Sequence, residues 1–146
     1  MQAKKKTILS LLIALGLCAA VPATASDPVV VVVVAHPDTP VLNEDTLKKI
    51  YLGKVVEVNG RSVVPVNLVK GNVLRKEFIE KVVGMDDDKY VAYWTVRRYI
   101  GKGSPPREFA AIQEQREFLR TTPSSVGYQD ESADIKQDVK MILKKP

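Results

Sequence analysis

The chain is poor in the residues that carry covalent and metal chemistry. Of its 146 residues one is a cysteine, Cys18, and one a histidine, His36. Cys18 lies in an N-terminal stretch where Lys4, Lys5 and Lys6 precede an apolar run from Ile8 to Leu17 that leads to Ala23-Thr24-Ala25. This is the pattern of a secretory signal peptide cleaved after Ala25. The apolar run is shorter than the ~20 residues needed to cross a bilayer, which disfavours a permanent anchor. Cys18 follows Leu17 rather than the small residue a lipoprotein signal uses, so lipidation is the weaker reading. With residues 1–25 removed, no thiol remains for a disulfide, a thiolate metal site or a cysteine nucleophile. A lone imidazole beside Pro37 has no second imidazole or thiol with which to build a metal centre. The few serines stand in no nucleophile-elbow context. Hydrolytic and metal-dependent catalysis are thereby disfavoured, and the expectation is a non-enzymatic chain with no cofactor and no metal.

Charge of one sign is also scarce. The leader takes three lysines with it, so 22 basic residues become 19 against 17 acidic ones, and the formal balance falls from +5 to +2. Nucleic-acid binding normally needs a concentrated basic face, and this balance argues against it. Residues 26–146 have the length of one domain, enough to bury a core without covalent staples. No internal repeat and no low-complexity linker interrupts them.

Six consecutive valines, Val29 to Val34, predict a central strand buried on both faces, ended by Pro37 and Pro40. Asn43 followed by Glu44 and Asp45 predicts a capped helix carrying Leu47, Ile50 and Tyr51, stopped at Gly53. Asn59-Gly60 predicts a hairpin joining Val55–Val58 to the strand that runs to Val66. A loop containing Gly71 then leads into a helix with Leu74, Phe78, Ile79 and Val82 on one face, closed at Gly84. Asp86-Asp87-Asp88 reads as a helix cap rather than a calcium loop, because the spaced ligands and turn glycine are missing. In the helix it opens, Tyr90, Trp94 and Arg97 share a face, with Trp94 read as core rather than as a ligand platform. Gly101 to Pro106 breaks that helix. A helical stripe from Phe109 through Leu119 follows, with Glu114 and Glu117 on its exposed side. Val126-Gly127-Tyr128 reads as a short strand, Ile135 as a turn of helix, and Val139 to Leu143 as a final strand. Strands and helices alternating in this way predict an α/β fold, a mixed sheet with flanking helices.

A strand that delivers a glycine-containing loop to a helix start presents unpaired N–H groups to an anion. The polar groups expected there are the Thr39 hydroxyl on the opposite wall, Asn67, the backbone of Gly71, Asn72 and Val73, and the Arg75 guanidinium, with Arg97 and Arg98 as further cations. Arginine supplies two-pronged geometry for an oxyanion.

Several motifs together resemble the substrate-binding family of phosphate ABC transporters, in its short single-domain branch. They are Ile50-Tyr51-Leu52-Gly53-Lys54, Val64-Pro65-Val66-Asn67, Arg75 with Phe78, Tyr93-Trp94, Gly101 to Pro106, and Thr122-Pro123 with Val126-Gly127-Tyr128. The resemblance implies a single lobe of the type 2 periplasmic-binding-protein fold, a periplasmic location, phosphate or another small anion as ligand, and an ABC-transporter permease or other envelope protein as partner. Full-length members form two lobes that close on phosphate, with a Gly-Ser-Gly-Thr-Arg segment at a helix start. The matching residues here are Gly71-Asn72-Val73-Leu74-Arg75, in which two hydroxyls and a glycine are replaced. Each lost hydrogen bond to a charged oxygen is worth roughly 1.5–3 kcal/mol. About 120 residues cannot build two lobes. Either an anion binds at an open surface, or a second copy in a homodimer, or another protein, supplies the missing wall. The alternative is an interaction or accessory module of an envelope assembly that keeps the fold without the ligand.

Overall fold

The structure is a computed structural model, and it describes residues 29–133 and 138–146. The leader expected over residues 1–25 and the helical turn expected at Ile135 lie outside the described residues.

Valine clustering has its predicted outcome. Strand β1 (Val31–Ala35) is buried along its whole length and lies between two neighbours. The remaining elements are α1 (Glu44–Tyr51), a small hairpin of β2 (Glu57–Val58) and β3 (Arg61–Ser62), β4 (Val64–Leu68), α2 (Val73–Phe78), α3 (Asp87–Tyr99), β5 (Arg107–Phe109), α4 (Ile112–Thr121), β6 (Ser125–Asp130) and β7 (Lys140–Lys145). The main sheet has the order β5-β4-β6-β1-β7. β4 runs parallel to β5 and β6, whereas β1 runs antiparallel to β6 and β7. The sheet is therefore mixed, and the chain ends of β1 and β4 point in opposite directions. The outer strand β7 is rich in lysine, a common protection against edge-to-edge association.

Helix boundaries follow local chemistry. Asn43 accepts a hydrogen bond from the Thr46 amide and opens α1; Asp86 accepts from the Asp88 and Lys89 amides and opens α3. Gly53 and Gly84 end helical segments with φ of +63° and +78°. Trp94 enforces the first: a Cβ on Gly53 would stand 2.5 Å from its ring. After α2 the chain widens into one π-helical turn, Ile79–Val83, which buries Ile79, Val82 and Val83. Neighbouring side chains on β6 point to opposite faces of the sheet. Tyr128 packs on Phe78 of α2, rings stacked at 4.0 Å, and Phe78 meets Tyr51 of α1 at 4.6 Å. On the other face α4 presses so close that a Cβ on Gly127 would sit 2.9 Å from Leu119 and 3.0 Å from Val66.

Two sequence expectations are corrected. The stripe assigned to one helix from Phe109 begins instead with strand β5, and α4 starts at Ile112. Three residues are too few to display a strand period, and only pairing with β4 makes the strand. The hairpin around Asn59-Gly60 forms, with both residues at positive φ, but each arm is two residues long.

Tyr51, Tyr90 and Tyr128 are buried, and desolvation raises all three phenol pKa values. A raised folded-state pKa leaves stability intact below the unfolded value of about 10 and removes it as pH climbs above that. Alkaline titration should therefore release tyrosinate absorbance from these three rings together with loss of the circular-dichroism signal. Ionisation of all three near pH 10 in a chain that keeps its native spectrum would contradict the burial.

Candidate functional site

The expected anion site is a loop between β4 and α2. β4 ends at Leu68, and Gly71, at φ +93°, turns the chain into the helix. Asn72 occupies the cap position. Its Oδ1 accepts from the Leu74 amide at 2.9 Å and from the Arg75 amide at 3.3 Å. Two amides of the helix start are thus engaged by a side chain of the loop itself, and of the three loop amides expected to meet an anion that of Asn72 donates to the Val69 carbonyl at 3.3 Å. Val73, where the resembling family has glycine, is 63 % exposed.

Arg75 points inward. Its side chain is 1 % exposed, with Nε donating to Asp87 Oδ1 at 2.9 Å and one terminal nitrogen donating to Glu108 Oε1 at 2.5 Å and to the Leu68 carbonyl at 2.7 Å. Tyr90 lies under the guanidinium at 5.9 Å. Burial pushes the guanidinium pKa down, but the hydrogen bonds to Glu108 and Asp87 outweigh it and hold the group above its ordinary value. The charge offered to a solute in the sequence reading is balanced from within.

Asn67 is buried at the C-terminal end of β4, facing Tyr128. Its Oδ1 accepts from its own Leu68 amide at 3.0 Å and from the Tyr128 hydroxyl, while its Nδ2 has no partner. The Tyr128 oxygen also accepts from the Leu68 amide at 3.0 Å. Asn67 is thus held by the core and offers no group toward solvent.

Thr39 does not reach this loop. It follows β1, whose end lies where β6 begins, and its hydroxyl donates to the Ser125 carbonyl at 2.9 Å. Ser125 pairs with Val64, the first residue of β4, while Gly71 to Arg75 follow the last. Four residue steps of strand, roughly 13 Å, separate the two ends. Thr39 therefore stands at the far end of the sheet from the wall expected of it. Arg97 is likewise engaged, donating to the carbonyls of Gly53 at 3.1 Å and Lys102 at 2.8 Å and lying over the rings of Tyr93 and Trp94.

Sequence reasoning missed Asp87 and Glu108 as partners of Arg75. Asp87 was readable as a helix-start acid. Glu108 meets Arg75 because β5 lies beside β4 with Glu108 paired to Asn67, a juxtaposition no local pattern announces. The depression beside Gly71, about 230 Å³, brings together Lys70 and Lys76 with Asp86, Asp87 and Asp88. Lys70 is bound to Asp88 at 2.6 Å, and this hydrogen bond holds the Asp88 carboxyl below its usual range. A phosphate entering there would meet three carboxylates and a lysine already paired.

No protein-family model matches the chain, and no curated protein matches its sequence. Solved structures do match. An ABC-type phosphate transport receptor from Vibrio cholerae superposes with a TM-score of 0.59 at 15% identity, over 78% of this chain and 45% of that one. A putative phosphate ABC transporter substrate-binding protein with bound phosphate from Clostridium perfringens gives a TM-score of 0.60 at 18% identity, over 78% of this chain and 44% of that one. The chain spans less than half the length of either. These matches establish a shared α/β fold, the one that the sequence resemblance implies.

Proposed function

We propose that the chain is an exported, single-lobe domain of the phosphate-receptor fold that works by binding another envelope protein rather than by clasping a free anion. One observation carries this reading: Asn72 takes the Leu74 and Arg75 amides at the helix start while Arg75 is held inward between Asp87 and Glu108. Valine replaces glycine in the same loop, and both Val69 and Val73 are exposed. Such a surface suits a protein neighbour better than a phosphate, which needs donors with no competing acceptor. The likeness to phosphate-transport receptors supports a place beside a transport assembly, and the signal-peptide pattern expected over residues 1–25 supports the periplasm. The domain would then be an accessory subunit, with no catalytic step of its own.

Calorimetry tests the reading. Phosphate, sulfate and acetate titrated into residues 26–146 should give dilution heats only, while cross-linking in an envelope extract should yield a discrete heteromeric product whether or not phosphate is present. Saturable phosphate binding tighter than about 1 mM, or ~4 kcal/mol, would overturn it and restore solute capture. Cross-linking that returns the chain alone would also overturn it.

A further inference from the structure

The end of the molecule opposite Gly71 carries a groove of about 280 Å³ between the β2–β3 hairpin and the Ser104–Pro106 segment. Val55, Val56, Val64, Trp94, Pro105 and Pro106 are among its lining residues. Val56 is 67 % exposed and Val64 37 %, so apolar surface stands open here. The two prolines fix the φ angles of their wall and offer no N–H, which favours side-chain docking against it.

The rim is basic. Residues 89–107 hold five basic side chains and no acidic one. Arg107 lines the groove, Lys54 follows its lining residue Gly53, and Arg97 joins the Gly53 and Lys102 carbonyls, which brings Lys102 to the same rim. Among the described residues none of Lys54, Arg97, Lys102 and Arg107 forms an ion pair with a carboxylate, whereas Lys70 and Arg75 at the other end do. Arg107 instead lies over the rings of Phe109 and Phe118, at 4.8 and 5.3 Å. Glu57 follows the lining residue Val56 and Glu108 follows Arg107, but Glu108 is paired with Arg75, so the rim keeps an excess of positive charge.

We infer that this groove docks an extended acidic segment of another protein. Its apolar side chains enter between the valines and the prolines, and its carboxylates meet Lys54 and Lys102. Concavity favours a peptide over a lipid surface, because a flat bilayer reaches protruding side chains and not a lined channel. The inference rests on the proposed protein-binding role and gives that role a place.

Trp94 is the only tryptophan of the chain and lines the groove, so its emission is the signal to follow. Peptides selected from a random displayed library on residues 26–146 should be acidic with apolar anchors and should shift Trp94 emission. They should bind about tenfold more weakly to a Lys54→Glu/Lys102→Glu variant and to Val56→Asp, and more weakly as salt rises. All three positions are exposed, and unchanged circular dichroism would establish that the variants fold. Failure to enrich any peptide, enrichment of neutral or basic peptides, an unmoved Trp94 signal, or binding indifferent to both variants would each overturn the groove. If phosphatidylglycerol vesicles shift Trp94 and the peptides do not, a membrane surface replaces the peptide. An envelope cross-link that survives both variants would sink this site while leaving the protein-binding role standing; a wild-type chain with no cross-link at all would sink that role.

Discussion

Replacing Arg75 with leucine should lower the stability of the folded chain by about 3–5 kcal/mol, read from urea unfolding. The size follows from what remains behind. Asp87, whose side chain is 13 % exposed, would lose its charged donor, and the Leu68 carbonyl would lose a 2.7 Å hydrogen bond. Glu108 is 41 % exposed and can turn to water, so its share of the loss is small. Arg75→Lys should recover only part of the stability, because an ammonium lacks the planar fork that reaches Asp87, Glu108 and the carbonyl together. A double variant with Asp87→Asn should lose less than the two single losses added, since the two residues share one interaction. If Arg75→Leu costs less than about 1 kcal/mol, the guanidinium is not a structural ion-pair partner and is free to serve a solute. That result would weaken the proposal of a closed loop at its source.

Phe78→Ala should cost a similar ~3–5 kcal/mol, the range for removing a buried aromatic side chain and leaving its cavity. Phe78 has no exposed surface and lies where α1, α2 and β6 meet, touching the rings of Tyr51 and Tyr128. The ring cannot be replaced by local collapse, because both tyrosines are pinned by their hydroxyls. Tyr51 donates to the Val66 carbonyl at 2.8 Å, and Tyr128 is tied to Asn67 and Leu68. Phe78→Leu keeps most of the apolar volume and should cost far less. Trp94 fluorescence and circular dichroism followed through the same urea transition would check both variants. Equal stability of Phe78→Ala and wild type would mean that this layer is not tightly packed.

Much of the fold was legible because it rests on interactions a few residues long. The valine run becomes β1, since β-branched residues without a polar interruption have no exposed face to offer. Asn43 and Asp86 cap helices through amides two or three residues ahead, and Gly53 accepts a backbone angle that other residues resist. Asn72 shows the limit of that kind of reading. It sits at the helix start, but its side chain turns back onto the Leu74 and Arg75 amides, which its backbone role in the sequence did not announce. β5 was missed because three residues carry no period.

Order along the chain, the capping residues of α1 and α3, and the α/β alternation were written in the amino acids alone, since each depends on neighbours within a turn or two. Strand direction and pairing were not. They send Thr39 to one end of the sheet and Gly71 to the other, and they bring Glu108 beside Asn67. Only the folded chain decides where a buried guanidinium finds its acids, because the cost of leaving that charge unpaired is met by whichever carboxylates the sheet and α3 bring within reach.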